Sequence, residues 1–246
     1  MTYCDIHTHQ PGLHPEDIAV ISVDIRNFFA SHVRQDNPDN KSKTAFIEKQ
    51  ATEKINYYAV GVHPWYIDKI HADTANDLFA KVCEYAHFPE IVAIGETGLD
   101  KMTAKTENDF IFQQELFLLH AHLSEEVKKP LIIHCVKAWD ELLRIRKSIN
   151  PSMPWIIHGF RGKEKLATQL LNTGFYLSFG MYYNTGALQM AWTKRRLLIE
   201  TDDKNMDIRD VYKLIAKDLH IPESKLSEEI AFFFNTTILT SGGLFT

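Results

Sequence analysis

Residues 130–134 read Pro-Leu-Ile-Ile-His, and residues 154–158 read Pro-Trp-Ile-Ile-His. Each stretch contains a short, continuous apolar run that a histidine closes. Such runs are typical of strands buried on both faces of a parallel sheet that helices cover. The two stretches therefore predict two interior strands, each with a histidine at its carboxyl end.

Similar runs recur along the chain. The predicted strands are Tyr3–His7, Ile18–Asp24, Tyr57–Val62, Ile91–Gly95, Leu131–His134, Trp155–His158, Phe175–Ser178 and Leu197–Thr201. Amphipathic stretches between or after them predict helices at Asp73–Ala86, Glu107–Lys128, Ala138–Lys147, Lys163–Asn172, Asp207–Leu219 and Glu223–Thr240. Eight strands interleaved with at least six helices over about 250 residues indicate an α/β fold of the (β/α)8 TIM-barrel type. A doubly wound open sheet is the alternative, although no glycine-rich turn follows the first strand to support a dinucleotide-binding version.

The composition is that of an ordinary globular chain. It has 246 residues, 45% hydrophobic and 24% charged, with a formal net charge of −5 when histidine is neutral. This balance excludes disorder as the main state, and it excludes nucleic-acid binding through bulk positive charge. Cys4, Cys83 and Cys135 show no CxxC spacing, so neither a disulfide framework nor a thiolate zinc site is indicated. We expect a cytoplasmic protein without a signal peptide or membrane span, because no apolar run reaches about 18 residues.

The chain shows no linker or low-complexity segment that would divide it. Its one strongly polar stretch, Arg34–Lys43, reads as a surface loop. We therefore predict a single domain over residues 1–246, and we expect a monomer.

Residues that bind metals recur at the carboxyl ends of the predicted strands. They are His7, His9, His63, Glu96, His134, His158 and Asp202. In a TIM barrel these ends converge on the face where active sites are built. His7 and His9 are two residues apart, and this strand spacing puts both imidazoles on one face. The sequence therefore predicts that these side chains share one pocket.

A pocket of buried imidazoles and carboxylates is costly unless a cation holds them together. Nitrogen and oxygen donors without thiolate suit Zn²⁺, Mn²⁺, Fe²⁺, Ni²⁺ or Mg²⁺. Without His63, four imidazoles and two carboxylates remain. Six such ligands are too many for one tetrahedral ion with an open position, and they suit two ions that share a bridging carboxylate and activate water. We expect one or two divalent ions per chain, Mg²⁺, Mn²⁺ or Zn²⁺.

These residues belong to a set of seven dispersed motifs. They are Asp5-Ile-His7-Thr-His9, Gly61-Val-His63-Pro64, Gly95-Glu96-Thr-Gly98-Leu99-Asp100, Pro130-Leu-Ile-Ile-His134, His158-Gly-Phe160-Arg-Gly162, Glu200-Thr201-Asp202 and Asn235. Together the motifs resemble those of the TatD family of metal-dependent hydrolases, and the resemblance covers nearly the whole chain. It implies a distorted TIM barrel of the amidohydrolase type and divalent-metal-dependent deoxyribonuclease activity. It further implies one metal site from His7, His9, Glu96 and Asp202 and a second from Glu96, His134 and His158, with Glu96 bridging and His63 beside the scissile phosphate.

The chemistry of these residue types agrees with that activity. Asp202 is the predicted acceptor of the proton from the attacking water, and Glu96 bridges the ions that neutralise charge on the phosphoryl oxygens. The leaving alkoxide is expected to be stabilised by a metal or protonated by His63 or water. Asp5 and Glu200 are expected to orient a metal ligand or a substrate group without binding the metal themselves.

The sequence departs from the family pattern around the predicted substrate site. Val136 occupies a position where family members commonly carry arginine, and Lys137 follows it. The residues after Asp202 lack the usual Asp-Ala-Pro and its long polar loop, and Lys101-Met102 replaces an aromatic pair. These differences imply a more open cleft that grips a short substrate weakly.

Four side chains remain as candidates for substrate binding. Arg161 is the most attractive phosphate ligand, with a solvated loop arginine as the alternative, and Lys101 and Lys137 would add charge. Trp65 either stacks a base or covers apolar surface. Cys135 is expected to be a buried structural thiol, and seven further histidines are expected on the surface or in packing: His14, His32, His71, His87, His120, His122 and His220.

Three functions remain open. The first is a deoxyribonuclease or phosphodiesterase that acts on DNA ends or short oligonucleotides. The second is a hydrolase of small phosphoesters, lactones or amides on the same metal barrel. The third is a non-catalytic metal-binding protein. A groove lined by Arg161, Lys101 and Lys137 would favour a polyanion, whereas an enclosed apolar pocket would favour a small molecule.

Overall fold

The computed structural model describes residues 1–26, 56–69 and 72–239. Within this part of the chain, eight parallel strands form one sheet whose spatial order follows the chain order. They are β1 Cys4–Thr8, β2 Ile18–Asp24, β3 Asn56–Gly61, β4 Ile91–Asp100, β5 Leu131–Val136, β6 Trp155–Ile157, β7 Tyr176–Phe179 and β8 Leu197–Ile199. A bridge between Thr8 and Asp202 brings the end of β8 back to β1 and nearly closes the sheet. The predicted (β/α)8 barrel is confirmed, and the open-sheet alternative is wrong.

Helices lie between the strands and after the last one. The described α-helices are α1 Ala72–Tyr85, α2 Glu107–Val127, α3 Trp139–Ile149, α4 Glu164–Asn172, α5 Thr185–Thr193, α6 Ile208–Leu219 and α7 Glu223–Phe233. A 3-10 helix, Pro64–Lys69, follows β3, and a π-helix, Phe234–Leu239, continues α7. Sequence analysis missed α5, because this nine-residue helix is apolar around most of its circumference and lacks a clear polar face. No described helix separates β1 from β2.

The apolar strands are buried because one face of each strand packs in the barrel interior and the other packs against the helix layer. Every residue of β6, and Leu131–Ile133 of β5, is almost fully excluded from solvent. Trp155 of β6 packs edge-on against Phe117 of α2, with ring centroids 5.4 Å apart. The interior position predicted for these two strands is confirmed, and it fixes where their closing histidines emerge.

β4 is longer than the sequence predicts. It was expected to end at Gly95, but it continues to Asp100 after a register shift between Ile94 and Thr97. Gly98 makes this possible, since its φ is +151° and a Cβ there would overlap the backbone of His134 in β5. Glycine normally weakens a strand, which is why the extension escaped sequence analysis. The close approach of the two strands brings Asp100 beside His134.

His120 is a packing residue, as predicted. Its Nε2 accepts a hydrogen bond from the Val62 backbone at 3.0 Å, and its Nδ1 donates to the Leu116 carbonyl at 2.8 Å. Burial lowers the pKa of His120 to about 4, so the ring is neutral and ties α2 to the residue before His63.

The other non-site histidines that the structure describes also follow the prediction. His87, His122 and His220 are exposed, and His14 is half-buried against Asp207. His32, His71 and the Arg34–Lys43 stretch lie outside the described residues. Cys135 is buried, and burial raises the pKa of its thiol, as expected for a structural cysteine.

None of the helices in the described ranges is both long enough and apolar enough to cross a bilayer. The single domain over residues 1–246, the monomeric state and the cytoplasmic location stay predictions.

Candidate metal centre

The structure brings the side chains predicted at the strand ends into one cluster around buried Glu96. The two carboxylate oxygens of Glu96 face different histidines. Oε2 lies 3.3 Å from His7 Nε2 and 3.6 Å from His9 Nε2. Oε1 lies 2.8 Å from His63 Nε2, 3.1 Å from His134 Nδ1 and 2.8 Å from His158 Nε2. One carboxylate therefore separates the imidazoles into two groups, which is the arrangement a bridging ligand requires.

Asp202 joins the first of these groups. Its Oδ1 lies 3.6 Å from His7 Nε2 and 3.7 Å from His9 Nε2. The backbone of Asp202 donates to the His7 carbonyl at 3.0 Å and its carbonyl accepts from His9 at 3.1 Å. The closure of the barrel between β8 and β1 thus sets the position of this carboxylate against both histidines of the His-x-His motif.

The donor set fits a divalent cation. His7 is fully buried, and neither of its ring nitrogens has a hydrogen-bond partner among the described residues. A buried polar atom left without a partner costs about 1–3 kcal/mol, so this geometry is stable only if something else binds it. The grouped donor atoms of His7, His9 and Glu96, and those of His63, Glu96 and His134, lie within 4.8 Å of one another. All are nitrogen or oxygen, as Zn²⁺, Mn²⁺ and Mg²⁺ prefer to different degrees.

The electrostatics of the cluster agree with a cation site. Burial raises the pKa of Glu96, but the charge of His158 and hydrogen bonds from three imidazoles outweigh it and hold that pKa well below its usual range. Burial lowers the pKa of His7, yet the neighbouring carboxylates of Asp202 and Glu96 raise it to about 9. Glu96 therefore stays anionic, and the protons on the imidazoles are the charges that a bound cation displaces.

Two carboxylates orient histidines from outside the cluster. Asp100 Oδ2 accepts from His134 Nε2 at 3.2 Å, which leaves His134 Nδ1 facing Glu96. Glu200 Oε1 accepts from the Gly159 backbone at 2.6 Å and lies 3.6 Å from His158 Nδ1. Such carboxylate–histidine pairs fix the ring orientation and raise the basicity of the free nitrogen. Glu200 lies where the sequence predicted it, whereas Asp100 was missed, although an acidic residue that closes the glycine-containing β4 motif was a visible signal.

Asp5 acts differently from the prediction. It hydrogen-bonds no histidine of the cluster among the described residues. Instead it accepts hydrogen bonds from the backbone and hydroxyl of Thr201, at 3.1 and 2.5 Å. Burial raises the pKa of Asp5 to about 7. The contact ties β1 to the residue before Asp202, so Asp5 supports the cluster by holding the barrel closed.

His63 and Trp65 form one side of the site. The Trp65 backbone donates to His63 Nδ1 at 3.1 Å, so the ring proton of neutral His63 resides on Nε2, which faces Glu96. Burial lowers the pKa of His63 and favours this neutral form. The Trp65 indole donates to Asp100 Oδ2 at 2.7 Å, while 49% of the side chain stays exposed.

Comparison with known proteins assigns the chain to a family. The sequence model described as TatD related DNase matches residues 4–228. The chain belongs to the TatD family. The fold agrees, since the crystal structure of the TatD homolog YJJV from Escherichia coli superposes with a TM-score of 0.73 at 18% identity, over 96% of this chain and 97% of that one. The family match covers most of the chain, and the fold of the TatD homolog covers nearly all of it.

Two relatives are similar over part of the chain. An uncharacterized metal-dependent hydrolase of Buchnera aphidicola is 31% identical over 167 residues, which cover 63% of this chain and 62% of the relative. The protein named 3'-5' ssDNA/RNA exonuclease TatD from Pantoea ananatis is 26% identical over 186 residues, 68% of each chain. The match to the Buchnera relative thus spans less than two thirds of that protein's length.

The four predicted substrate-binding side chains of this TatD member differ in location and in their partners. Trp65 lies beside the cluster, and Arg161 lines a concave region together with Asp202. Lys101 is occupied elsewhere, because its Nζ lies 2.6 Å from Glu141 Oε1. Lys137 is exposed at the carboxyl end of β5, and no described carboxylate pairs with it. Of the three cations that the sequence offered as the lining of a polyanion groove, Lys101 is therefore paired, whereas Arg161 and Lys137 have no carboxylate partner among the described residues.

Asp100→Asn should weaken metal binding by about 10- to 100-fold, the usual cost of losing a carboxylate behind a metal-binding histidine. The asparagine amide keeps the size of the side chain. When its NH₂ group faces His134 Nε2 and the Trp65 indole, it cannot accept a hydrogen bond from either of them. Titration of the chelator-stripped protein with Mn²⁺ or Zn²⁺ measures the change. Asp140→Asn, an exposed carboxylate in the first turn of α3, is the matched control. Equal affinities in both variants would show that Asp100 does not position His134.

Proposed function

We propose that this TatD-family hydrolase is a divalent-metal-dependent phosphodiesterase that removes nucleotides from DNA ends or short oligonucleotides. The observation that carries the proposal is Glu96, whose two oxygens face two separate groups of imidazoles. Two ions about 3.5–4 Å apart on a shared carboxylate form the arrangement that stabilises both the attacking and the leaving oxygen of a phosphoryl transfer. The name of the Pantoea relative, an ssDNA/RNA exonuclease, supports the same substrate class.

We assign the ligands as follows. His7, His9, Glu96 and Asp202 would hold one ion, and Glu96, His134 and His158 would hold the other. Bound divalent ions supply an activated water nucleophile and neutralise the charge that develops on phosphoryl oxygens. Zn²⁺, Mn²⁺ and Mg²⁺ are all compatible with these donors.

Two side chains of the protein act in this scheme. Asp202 accepts the proton from the attacking water, and its carboxylate is available because the nearby His7 and the charge of His158 outweigh burial and lower its pKa. Neutral His63 donates a hydrogen bond from Nε2 to the leaving oxygen, since its Nδ1 accepts from the Trp65 backbone, and water supplies the proton that the leaving alkoxide takes up. Glu96 stays anionic throughout, and its two oxygens hold the two groups of imidazoles at a fixed separation.

A second candidate is a hydrolase of small phosphodiesters or other small esters. The pairing of Lys101 with Glu141 favours it, because this removes one of the few cations near the mouth that could grip a long polyanion. The third reading, a metal-binding protein without catalysis, predicts bound metal without turnover of any substrate.

One experiment separates the three functions. The purified protein is incubated with single-stranded oligonucleotides labelled at the 3′ or the 5′ end, and with bis(p-nitrophenyl) phosphate, in Mg²⁺, Mn²⁺ or Zn²⁺ and in chelator. We expect chelator-sensitive, stepwise shortening, and the label that disappears first gives the direction. Hydrolysis of the small diester alone would support the second candidate. Bound metal with no hydrolysis of either substrate would overturn the proposed function.

A further inference from the structure

Two exposed aromatic side chains stand on opposite sides of the barrel mouth. Trp65 follows β3 and Tyr182 follows β7, and they are 49% and 66% exposed. In a barrel of eight strands in sequential order, β3 and β7 are four strands apart in either direction. The two residues therefore follow strands on opposite sides of the barrel, with the Glu96 cluster between them.

Trp65 lies against the half of the cluster that Glu96 Oε1 faces. Its ring centroid is 4.9 Å from that of His63 and 5.6 Å from that of His134. The hydrogen bond from its indole to Asp100 restrains the ring. A large aromatic side chain held in a fixed position yet half exposed offers a face for stacking at little entropic cost.

Tyr182 lies against the other half. It lines the same concave region as Asp202, Lys204 and Arg161. The residue after it is anchored, since Tyr183 donates from its hydroxyl to Asp218 Oδ2 at 2.9 Å. The loop is therefore fixed next to Tyr182, while the side chain of Tyr182 itself stays largely exposed. Sequence analysis overlooked it, although an aromatic pair directly after a barrel strand was a signal.

Arg161 lies beside Tyr182 and brings a positive charge to the same region. Its guanidinium carbon lies 5.7 Å from the Tyr182 ring centroid. Among the described residues, no carboxylate lies within ion-pair distance of this guanidinium, whereas Lys101 and Lys204 each bind one. An arginine free of acidic partners can bind a phosphate through two parallel hydrogen bonds.

We propose that Arg161 and Tyr182 form a nucleotide-binding position, and that the substrate spans the metal centre from this position to Trp65. One base stacks on Tyr182 while Arg161 binds the phosphate next to it, and the base across the scissile bond stacks on Trp65. The inference rests on the proposed function and names its substrate class: a single strand with at least one nucleotide on each side of the bond that breaks. Bases in a duplex have both faces covered by neighbours, so they cannot occupy the two positions without unstacking.

Tyr182→Ala tests the position directly. We expect the ratio of kcat/KM for a single-stranded trinucleotide to kcat/KM for bis(p-nitrophenyl) phosphate to fall by about 5- to 150-fold, the equivalent of one base–aromatic stack. Tyr182→Phe should restore the ratio, because stacking needs only the ring. Phe232→Ala, which removes an aromatic side chain of similar exposure (68%) from α7, should keep the ratio of the unmodified protein.

Arg161→Met supplies a second, independent readout. Loss of one phosphate contact to a single strand should reduce the slope of log KM against log salt by about 0.7. The control substrate is a trinucleotide with an abasic sugar in place of the nucleotide that stacks on Tyr182. With this substrate, Tyr182→Ala should no longer lower kcat/KM, whereas Arg161→Met should still reduce the salt slope.

The outcomes separate the inference from the proposed function. If the unmodified protein cleaves the trinucleotide while Tyr182→Ala keeps its substrate ratio and Arg161→Met keeps its salt slope, the Arg161–Tyr182 position is wrong and the phosphodiesterase activity stands. If the unmodified protein cleaves neither the trinucleotide nor the small diester, the proposed function fails and the position fails with it.

Discussion

Glu96→Gln is expected to lower kcat/KM for a single-stranded oligonucleotide by about 10³-fold or more and to reduce the metal content of the protein. The loss is large because it removes electrostatic stabilisation at the phosphoryl centre. Glu96 presents Oε2 to His7 and His9 and Oε1 to His63, His134 and His158. A glutamine keeps the shape, but it carries no charge and turns an NH₂ donor toward one of the two groups. The amide cannot bridge two cations.

The measurement combines kinetics with metal analysis by mass spectrometry on protein dialysed against a fixed metal concentration. Glu141→Gln is the matched control, because that carboxylate pairs with Lys101 outside the cluster. Circular dichroism of both variants confirms that the barrel is intact. If Glu96→Gln kept its full metal content and kcat/KM within a few-fold of the unmodified protein, Glu96 would not be a bridging ligand.

Asp202→Asn should reduce kcat by about 10²- to 10⁴-fold, the usual contribution of a positioned general base. Its carboxylate is only partly buried, and it lies beside His7 and His9, where it can reach both a bound ion and solvent. Three donors of the first predicted site remain in the variant, so metal binding should weaken less than it does in Glu96→Gln. The loss should therefore appear in kcat at saturating metal.

Asp203→Asn provides the comparison for this variant. Asp203 is the next residue in the chain, it is exposed, and it pairs with Lys204 outside the cluster. Its removal should leave kcat within about two-fold, as expected for an exposed ion pair. Recovery of full kcat in Asp202→Asn at high metal concentration would limit Asp202 to metal binding and would assign the proton to another acceptor.

Local patterns in the sequence were sufficient to predict much of the fold. Apolar runs such as Leu131–His134 marked the strands, because burial on two faces demands continuous apolar side chains. Period-two spacing put His7 and His9 on one face, as the structure has them. Where a local pattern was weak or misleading, prediction failed: α5 lacks a polar face, and β4, which was expected to end at Gly95, continues through Gly98 to Asp100.

The sequence by itself determined the strand order, the chemical types of the side chains at the strand ends and membership of the TatD family. These depend on residue type and short-range spacing, which any reader of the chain can see. Only the tertiary structure decided which atoms meet: Asp100 with His134, Lys101 with Glu141, and Arg161 with Tyr182. The physical reason is that each of these contacts joins different strands or loops. It depends on strand register and barrel closure, which are set by packing over the whole barrel.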